Sequence, residues 1–230
     1  MNSDSKRFRQ DVFVINLEHR TDRRAAMRKQ LSRIGWRAIF FPAIRPDNAA
    51  GFPSVGARGC FLSHLAVLRS ALQAGLPQLV ILEDDLNFAD DFAARWGTAI
   101  APLETEPWSI FYPAHAFADL PAGLSRIAPE RGVEATHFMV INGPAIAPIV
   151  AGLETILFRP AGHPLGGPMH VDGAYSTLRH QDPALVTYVH SPPFGYQRAS
   201  RTDVGDLKWF DRVGILAPLV GVARKLRARP

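Results

Sequence analysis

The apolar pattern along the chain begins at "VFVINL", residues 12–17, where hydrophobic residues follow one another without alternation. Such a run predicts a strand covered on both faces. After the polar "EHRTD", Met27, Leu31 and Ile34 recur at the i, i+4, i+7 spacing and Gly35 closes the pattern, which predicts a helix. "AIFFP" then reads as a short strand stopped by Pro42. A strand, a helix and a second strand open an α/β sheet protein. Residues 46–59, "PDNAAGFPSVGARG", read as a Gly/Pro-rich loop long enough to be functional. The next helix is expected from Cys60 to Ala74, with Phe61, Leu65, Leu68 and Leu72 on one face and Gly75 and Pro77 stopping it.

"LVILE", residues 79–83, follows as a strand. Beyond it "ADDFAARWGTAI" is helix-like, and "WSIFYP" and "THFMVING" are strand-like, separated by Pro- and Gly-containing turns. "RPAGHPLGGPM", residues 159–169, fits no regular element. "HVDGAYSTLR" reads as a short helix entered from that loop, and "ALVTYVHSPP" as a late strand broken by its prolines. No internal repeat is seen. The reading is one domain over residues 11–206, preceded by a flexible, polar N-terminus (1–10) and followed by an apolar and basic segment (207–230).

Composition narrows the class. A chain of 230 residues with 47% hydrophobic content buries a large core. Cys60 is the only cysteine, so an intrachain disulfide is excluded and a reducing compartment is the simpler expectation. No stretch near the N-terminus has a secretory or membrane-spanning pattern, and the expected location is cytoplasmic. The net charge of +5 favours anionic partners. Arg20, Arg23, Arg24, Arg28 and Lys29 form one basic cluster, and Arg224, Lys225, Arg227 and Arg229 end the chain. The first cluster lacks interleaved aromatic residues and the chain lacks a zinc-finger or helix-turn-helix signature, so nucleic acid is not the expected partner. The terminal segment suits either a docked helix with a solvated basic end or peripheral contact with an anionic membrane.

Candidate chemistry centres on Glu83, Asp84 and Asp85, at the carboxyl end of a buried strand, where α/β sheets bind ligands. Extended backbone would turn Glu83 and Asp85 to one side, offering two oxygens to a hard cation, and Asp84 to the other. A solvated acidic turn explains the triplet too. Asn16 ends the first strand, and Arg20, Arg23 and Arg24 follow at a helix start that Thr21 can cap, an arrangement suited to phosphate as well as to a plain exposed helix. Ser63 and His64 lie beside the apolar face of the second helix and can reach a cleft, where His64 is a candidate catalytic base, although it also suits a hydrogen-bonded boundary position. Cys60 reads as a packing residue. Asp172, two residues after His170, could accept a proton from a sugar hydroxyl or cap its helix, and His170 could complete a metal shell. "GxGxxG", "GxxxxGK[ST]" and "GxSxG" are absent, which leaves metal-assisted chemistry on a phosphate-bearing substrate.

The ordered blocks "VFVINLEHRTDR", "GARGCFLSHLAVLRSAL", "LVILEDD", "HVDGAYSTL" and "PPFGYQRASRTDV" resemble glycosyltransferase family 25, which includes bacterial lipooligosaccharide galactosyltransferases and collagen galactosyltransferases. The resemblance runs over about residues 11–206. It implies a GT-A-like single domain with a central, mostly parallel sheet flanked by helices. It also implies a nucleotide-sugar donor, typically UDP-galactose, a divalent cation, Mn²⁺ or Mg²⁺, and an inverting transfer to a saccharide or lipid-linked acceptor. "EDD" looks like the family's DxD motif, which carries the metal role to Asp85 with Glu83 and sets Asp84 near the donor. Asn16, Arg20 and Arg23 match the nucleotide-side block, and Ser63 and His64 the "LSH" block. Gln197 and Ser200 are donor-side candidates, and Asp172 is the candidate base. One departure is Ala57: family members commonly read "GEIGC" where this chain reads "GARGC". It motivates a rival reading as a nucleotide-sugar-binding protein without turnover; a metal-dependent phosphohydrolase is a second rival.

Overall fold

The computed structural model describes residues 12–134 and 136–198. β1 (Val12–Asn16) leads through α1 (Thr21–Ile34) to β2 (Ile39–Pro42). α2 (Val55–Gln73), β3 (Gln78–Glu83), β4 (Leu86–Phe88) and α3 (Phe92–Ile100) follow. After a 3-10 turn at Ala101–Glu104 come β5 (Ile110–Tyr112), β6 (Gly123–Ile127), β7 (Phe138–Asn142), α4 (Gly143–Phe158), α5 (Val171–Gln181), β8 (Thr187–Ser191) and β9 (Gly195–Gln197).

Seven strands form one sheet in the order β2-β1-β3-β7-β5-β8-β6, while β4 and β9 pair separately. β1, β2, β3, β5 and β8 share a direction, and β6 and β7 run against them. The expected mostly parallel sheet is therefore present, with one antiparallel strand inserted at its centre.

Covered faces explain the unalternating apolar runs. In β3, Leu79 and Ile81 pack into the cluster formed with α2, α4 and α5. Val80 and Leu82 pack on the opposite face against α1, α3 and Trp36. Each strand residue is thus buried on its own side, as sheets sandwiched between helices require. Trp36, Phe88, Phe92, Trp96 and Phe138 fill the second face with edge-to-face and stacked ring contacts.

Four details depart from the sequence reading. α2 begins at Val55, five residues before Cys60, because the Ser54 hydroxyl accepts the Ala57 N–H and caps the helix inside the expected loop. Gly59 belongs to that helix for close approach rather than for a turn: a Cβ there would lie 2.5 Å from the Ile44 carbonyl oxygen. α1 begins at Thr21, so Arg20 holds the cap position, and it makes no side-chain cap bond. α4 was not recognised. Its Pro144 sits where a helix needs no N–H, and buried Ile146, Ile149, Val150, Leu153 and Ile156 hold the helix despite Pro148. The N-terminal segment 1–10, the C-terminal segment 207–230 and Ser200 lie outside the described residues. Among the described residues, no helix is long and apolar enough to cross a membrane.

Candidate functional site

β1 and β3 are parallel neighbours with Ile15 opposite Glu83, so both strands end at the same edge of the sheet. There a cleft of about 650 Å³ opens, lined by residues that include Arg23, Ala57, Cys60, Ser63, Glu83, Asp84, Asp85, His137, Asp172 and Gln197. Glu83 is the last residue of β3, and Asp84 and Asp85 form the turn into β4. Strand alternation therefore does not govern the three carboxylates. All three line the cleft, including Asp84, which was expected to face away.

Each acid has a different environment. Asp84 is fully engaged: Asn16 Nδ2 donates to Oδ2 at 2.6 Å and Arg23 donates to Oδ1 at 2.9 Å. Because Asn16 Nδ2 also reaches the Arg20 carbonyl oxygen at 3.3 Å, two acceptors fix the orientation of the amide. Asp85 Oδ2 accepts from Arg23 at 3.3 Å and from Gln197 at 3.2 Å, whereas its buried Oδ1 has no hydrogen-bond partner among the described residues. Burial, reinforced by the Glu83 charge and opposed by Arg23, pushes the Asp85 carboxyl up to about 7. Glu83 Oε1 accepts from the Thr136 hydroxyl at 2.7 Å and lies 3.7 Å from His64 Nε2. Burial would raise the Glu83 pKa, but the His64 imidazole and the Thr136 hydroxyl outweigh it and hold the carboxyl below its ordinary value.

Backbone contacts fix the acidic turn. The Arg198 N–H donates to the Asp85 carbonyl at 2.6 Å, its guanidinium reaches the Asp84 carbonyl at 3.3 Å, and β4 pairs with β9 immediately beyond. The orphaned, buried Asp85 Oδ1 fits a hard divalent cation, which prefers such oxygen ligands. Asp84, with both oxygens already engaged, instead positions the turn.

The remaining expected residues divide. Ser63 lines the cleft, yet its hydroxyl donates to the Gly59 carbonyl and accepts the Ile44 N–H, so it tethers a loop. His64 is a correction: it was expected to reach the cleft but is fully buried outside the lining residues, with Nδ1 3.3 Å from the Tyr175 hydroxyl. Its position between Phe61 and Leu68 on the buried side of α2 draws it inward. Arg20 turns to Asp22 in a two-pronged contact and is absent from the cleft lining. Asp172 stands in the first turn of α5, after the cap residue His170, and accepts the Gly173 N–H at 2.8 Å. Ala57 is buried and lines the cleft, while Arg58 points back to Asn48 and does not replace the missing carboxylate.

Sequence reasoning missed Thr136 and His137. They precede β7, whose antiparallel course brings its amino end to the edge where its neighbours finish. His137 is buried, lines the cleft, and has no hydrogen-bond partner for either ring nitrogen among the described residues. Burial holds its pKa below the ordinary histidine value.

A buried acidic turn at a strand's carboxyl end thus faces a cleft with an arginine in its wall. Residues 9–112 match the family model described as glycosyltransferase family 25 (LPS biosynthesis protein). This segment, which carries β1, α1, α2 and the acidic turn, is similar to glycosyltransferase family 25. An inactive glycosyltransferase 25 family member 3 from Homo sapiens is 27% identical over 203 residues, covering 75% of this chain and 32% of that protein. Procollagen galactosyltransferase 1-A from Xenopus laevis is 30% identical over 128 residues, 44% of this chain and 20% of its own length. A probable inactive family member 3 from Bos taurus is 29% identical over 44% of this chain and 21% of its own length. The chain thus spans about a fifth to a third of these relatives. A solved glycosyltransferase involved in glycosylating the major capsid of PBCV-1 aligns with 79% of this chain and 93% of its own, at 11% identity and a TM-score of 0.38.

Proposed function

We propose that the chain is a metal-dependent inverting glycosyltransferase that moves a sugar, galactose from UDP-galactose being the first donor to test, to a saccharide acceptor of lipopolysaccharide or another cell-surface glycan. The observation that carries this reading is the buried, unpartnered Asp85 Oδ1 in a cleft large enough for a nucleotide-sugar. Asp85 would hold manganese or magnesium, whose positive charge would offset the charge of the donor's phosphates and of the departing nucleoside diphosphate.

The chain's own residues supply the rest. Asn16 and Arg23 hold Asp84 and thereby the turn that presents Asp85, and Arg23 adds positive charge to the wall. Gln197 steadies the other oxygen of Asp85. Asp172, its carboxylate oriented by the Gly173 N–H, takes the acceptor hydroxyl's proton as that oxygen attacks the anomeric carbon opposite the leaving diphosphate. Action on a lipid-linked saccharide would place the protein in the cytoplasm at the inner face of the membrane, with residues 207–230 as the contact.

The test is release of free nucleotide from a panel of UDP-, GDP- and CMP-sugars with Mn²⁺ or EDTA, and donor binding on the same panel. Metal-dependent release from one donor supports the transferase; no binding of any donor overturns it. A second reading, donor binding without turnover, rests on Ala57 in the cleft wall and on the two relatives named as inactive. Metal-dependent binding without transfer to any acceptor would favour it.

A further inference from the structure

We propose that Cys60, His64 and Glu83 form a three-ligand site for a thiophilic divalent cation of the zinc class, set behind the cleft wall and separate from the cation at Asp85. The thiol, imidazole and carboxylate ligand atoms all lie within 4.8 Å of one another. In a tetrahedral zinc site, with ligands about 2.0–2.3 Å from the metal, ligand atoms sit about 3.3–3.8 Å apart. His64 Nε2 and Glu83 Oε1, at 3.7 Å, already have that spacing, and the thiol has only to close a small remainder.

Three further observations point the same way. His64 Nε2 is completely buried and has no hydrogen-bond partner among the described residues; 3.7 Å to Glu83 is too long for one. The other ring nitrogen is held by the Tyr175 hydroxyl at 3.3 Å, and Glu83 is held by the Thr136 hydroxyl at 2.7 Å. Outer contacts of this kind orient the ligands of metal centres. Cys60 and His64 are also four residues apart on α2, which sets them on one helix face directed at the end of β3.

The donor set selects the ion. A thiolate beside an imidazole suits zinc, whereas manganese and magnesium prefer oxygen ligands. Three protein ligands leave a fourth position open, and because Cys60 and Glu83 both line the cleft, the ion has a route in from solvent. Binding converts the Cys60 thiol to a thiolate and releases its proton to solvent.

The test uses the metal-stripped full chain titrated with Co²⁺ as a spectroscopic probe and Zn²⁺ as competitor. Cys60 is the only cysteine, so a thiolate-to-cobalt charge-transfer band reports this residue alone. The expected result is one equivalent of tetrahedral Co²⁺ showing that band, displaced by Zn²⁺ and absent in Cys60→Ser. Affinity should fall at least ~10-fold in Glu83→Gln and His64→Gln, and about 10-fold in Tyr175→Phe. Asp85→Asn should retain the band. Should the buried His64→Gln fail to fold, Glu83→Gln and Tyr175→Phe carry the decision. No band in a wild-type chain that melts cooperatively overturns the proposal. Equal affinity in Glu83→Gln, or loss of the band in Asp85→Asn, also overturns it.

Discussion

Asn16 and Asp84 stand 68 positions apart and meet at 2.6 Å, amide nitrogen to carboxylate oxygen. The sheet brings them together: Ile15 pairs with Glu83, so Asn16 at the end of β1 and Asp84 just beyond β3 lie side by side. Asn16→Ala leaves Asp84 with Arg23 and removes one charge-assisted bond from a buried carboxylate. A loss of about 1.5–3 kcal/mol is expected in urea unfolding. Combining it with Asp84→Asn should cost less than the sum of the two single changes, because the residues share one interaction.

Asp85 carries a cost in the metal-free chain. Its carboxyl is raised from 3.8 to about 7, so the folded state binds its proton more tightly than the unfolded state does. That contribution to stability is full below pH about 4 and is lost as pH rises through about 7. Asp85→Asn in EDTA should be more stable than wild type by about 1–2 kcal/mol at pH about 8, with the difference shrinking as pH falls. The same variant should lose Mn²⁺-dependent nucleotide release by about 10²-fold or more.

Asp172→Asn separates donor handling from proton removal. Transfer to an acceptor should fall by ~10²–10⁴ while Mn²⁺-dependent donor binding persists. Equal losses in binding and transfer would assign Asp172 to the donor instead.

Gly59→Ala tests the packing of α2 against the loop at Ile44. The added methyl would meet a backbone oxygen at 2.5 Å, which a side-chain rotation cannot relieve. Thermal or urea unfolding should show a loss of about 1–3 kcal/mol. Donor affinity should also weaken, since Ile44, Arg45 and Pro46 line the cleft.

His115 gives a pH dependence away from the acidic turn. Its Nε2 donates to the His190 carbonyl at 3.0 Å and its Nδ1 accepts the Phe117 N–H at 3.1 Å, so the folded state holds a neutral ring. Burial depresses its pKa below the ordinary 6.5. The stability it contributes is present above pH about 6.5 and lost as pH falls through the lower, folded value. The difference between wild type and His115→Gln in urea unfolding should therefore be largest near pH about 7.5 and shrink towards pH about 5.

What the sequence disclosed follows the range of the interactions involved. β1, α1 and β3 were legible because their apolar spacing and Gly35 are local signals, and the acidic turn stood out because it follows directly on a buried strand. α4 was not, since its prolines oppose a helix that only long-range packing sustains. Thr136 and His137 escaped for a topological reason. They reach the site by preceding a strand, and nothing in "THFMVING" indicates that this strand runs against its neighbours. His64 was misplaced because position along a helix does not say how deeply its neighbours sink it.

The clamp on the acidic turn has a consequence for the order of assembly. β4 and the Asp84 and Asp85 carbonyls are held by β9 and Arg198, more than a hundred residues further along the chain. A chain emerging from the ribosome can form β1, α1 and β3 early, yet its carboxylates have no fixed geometry until that last pairing arrives. Nascent chains stopped before Gly195 should therefore hold a sheet without a working cleft, and competence should appear in one step once β9 and Arg198 have emerged.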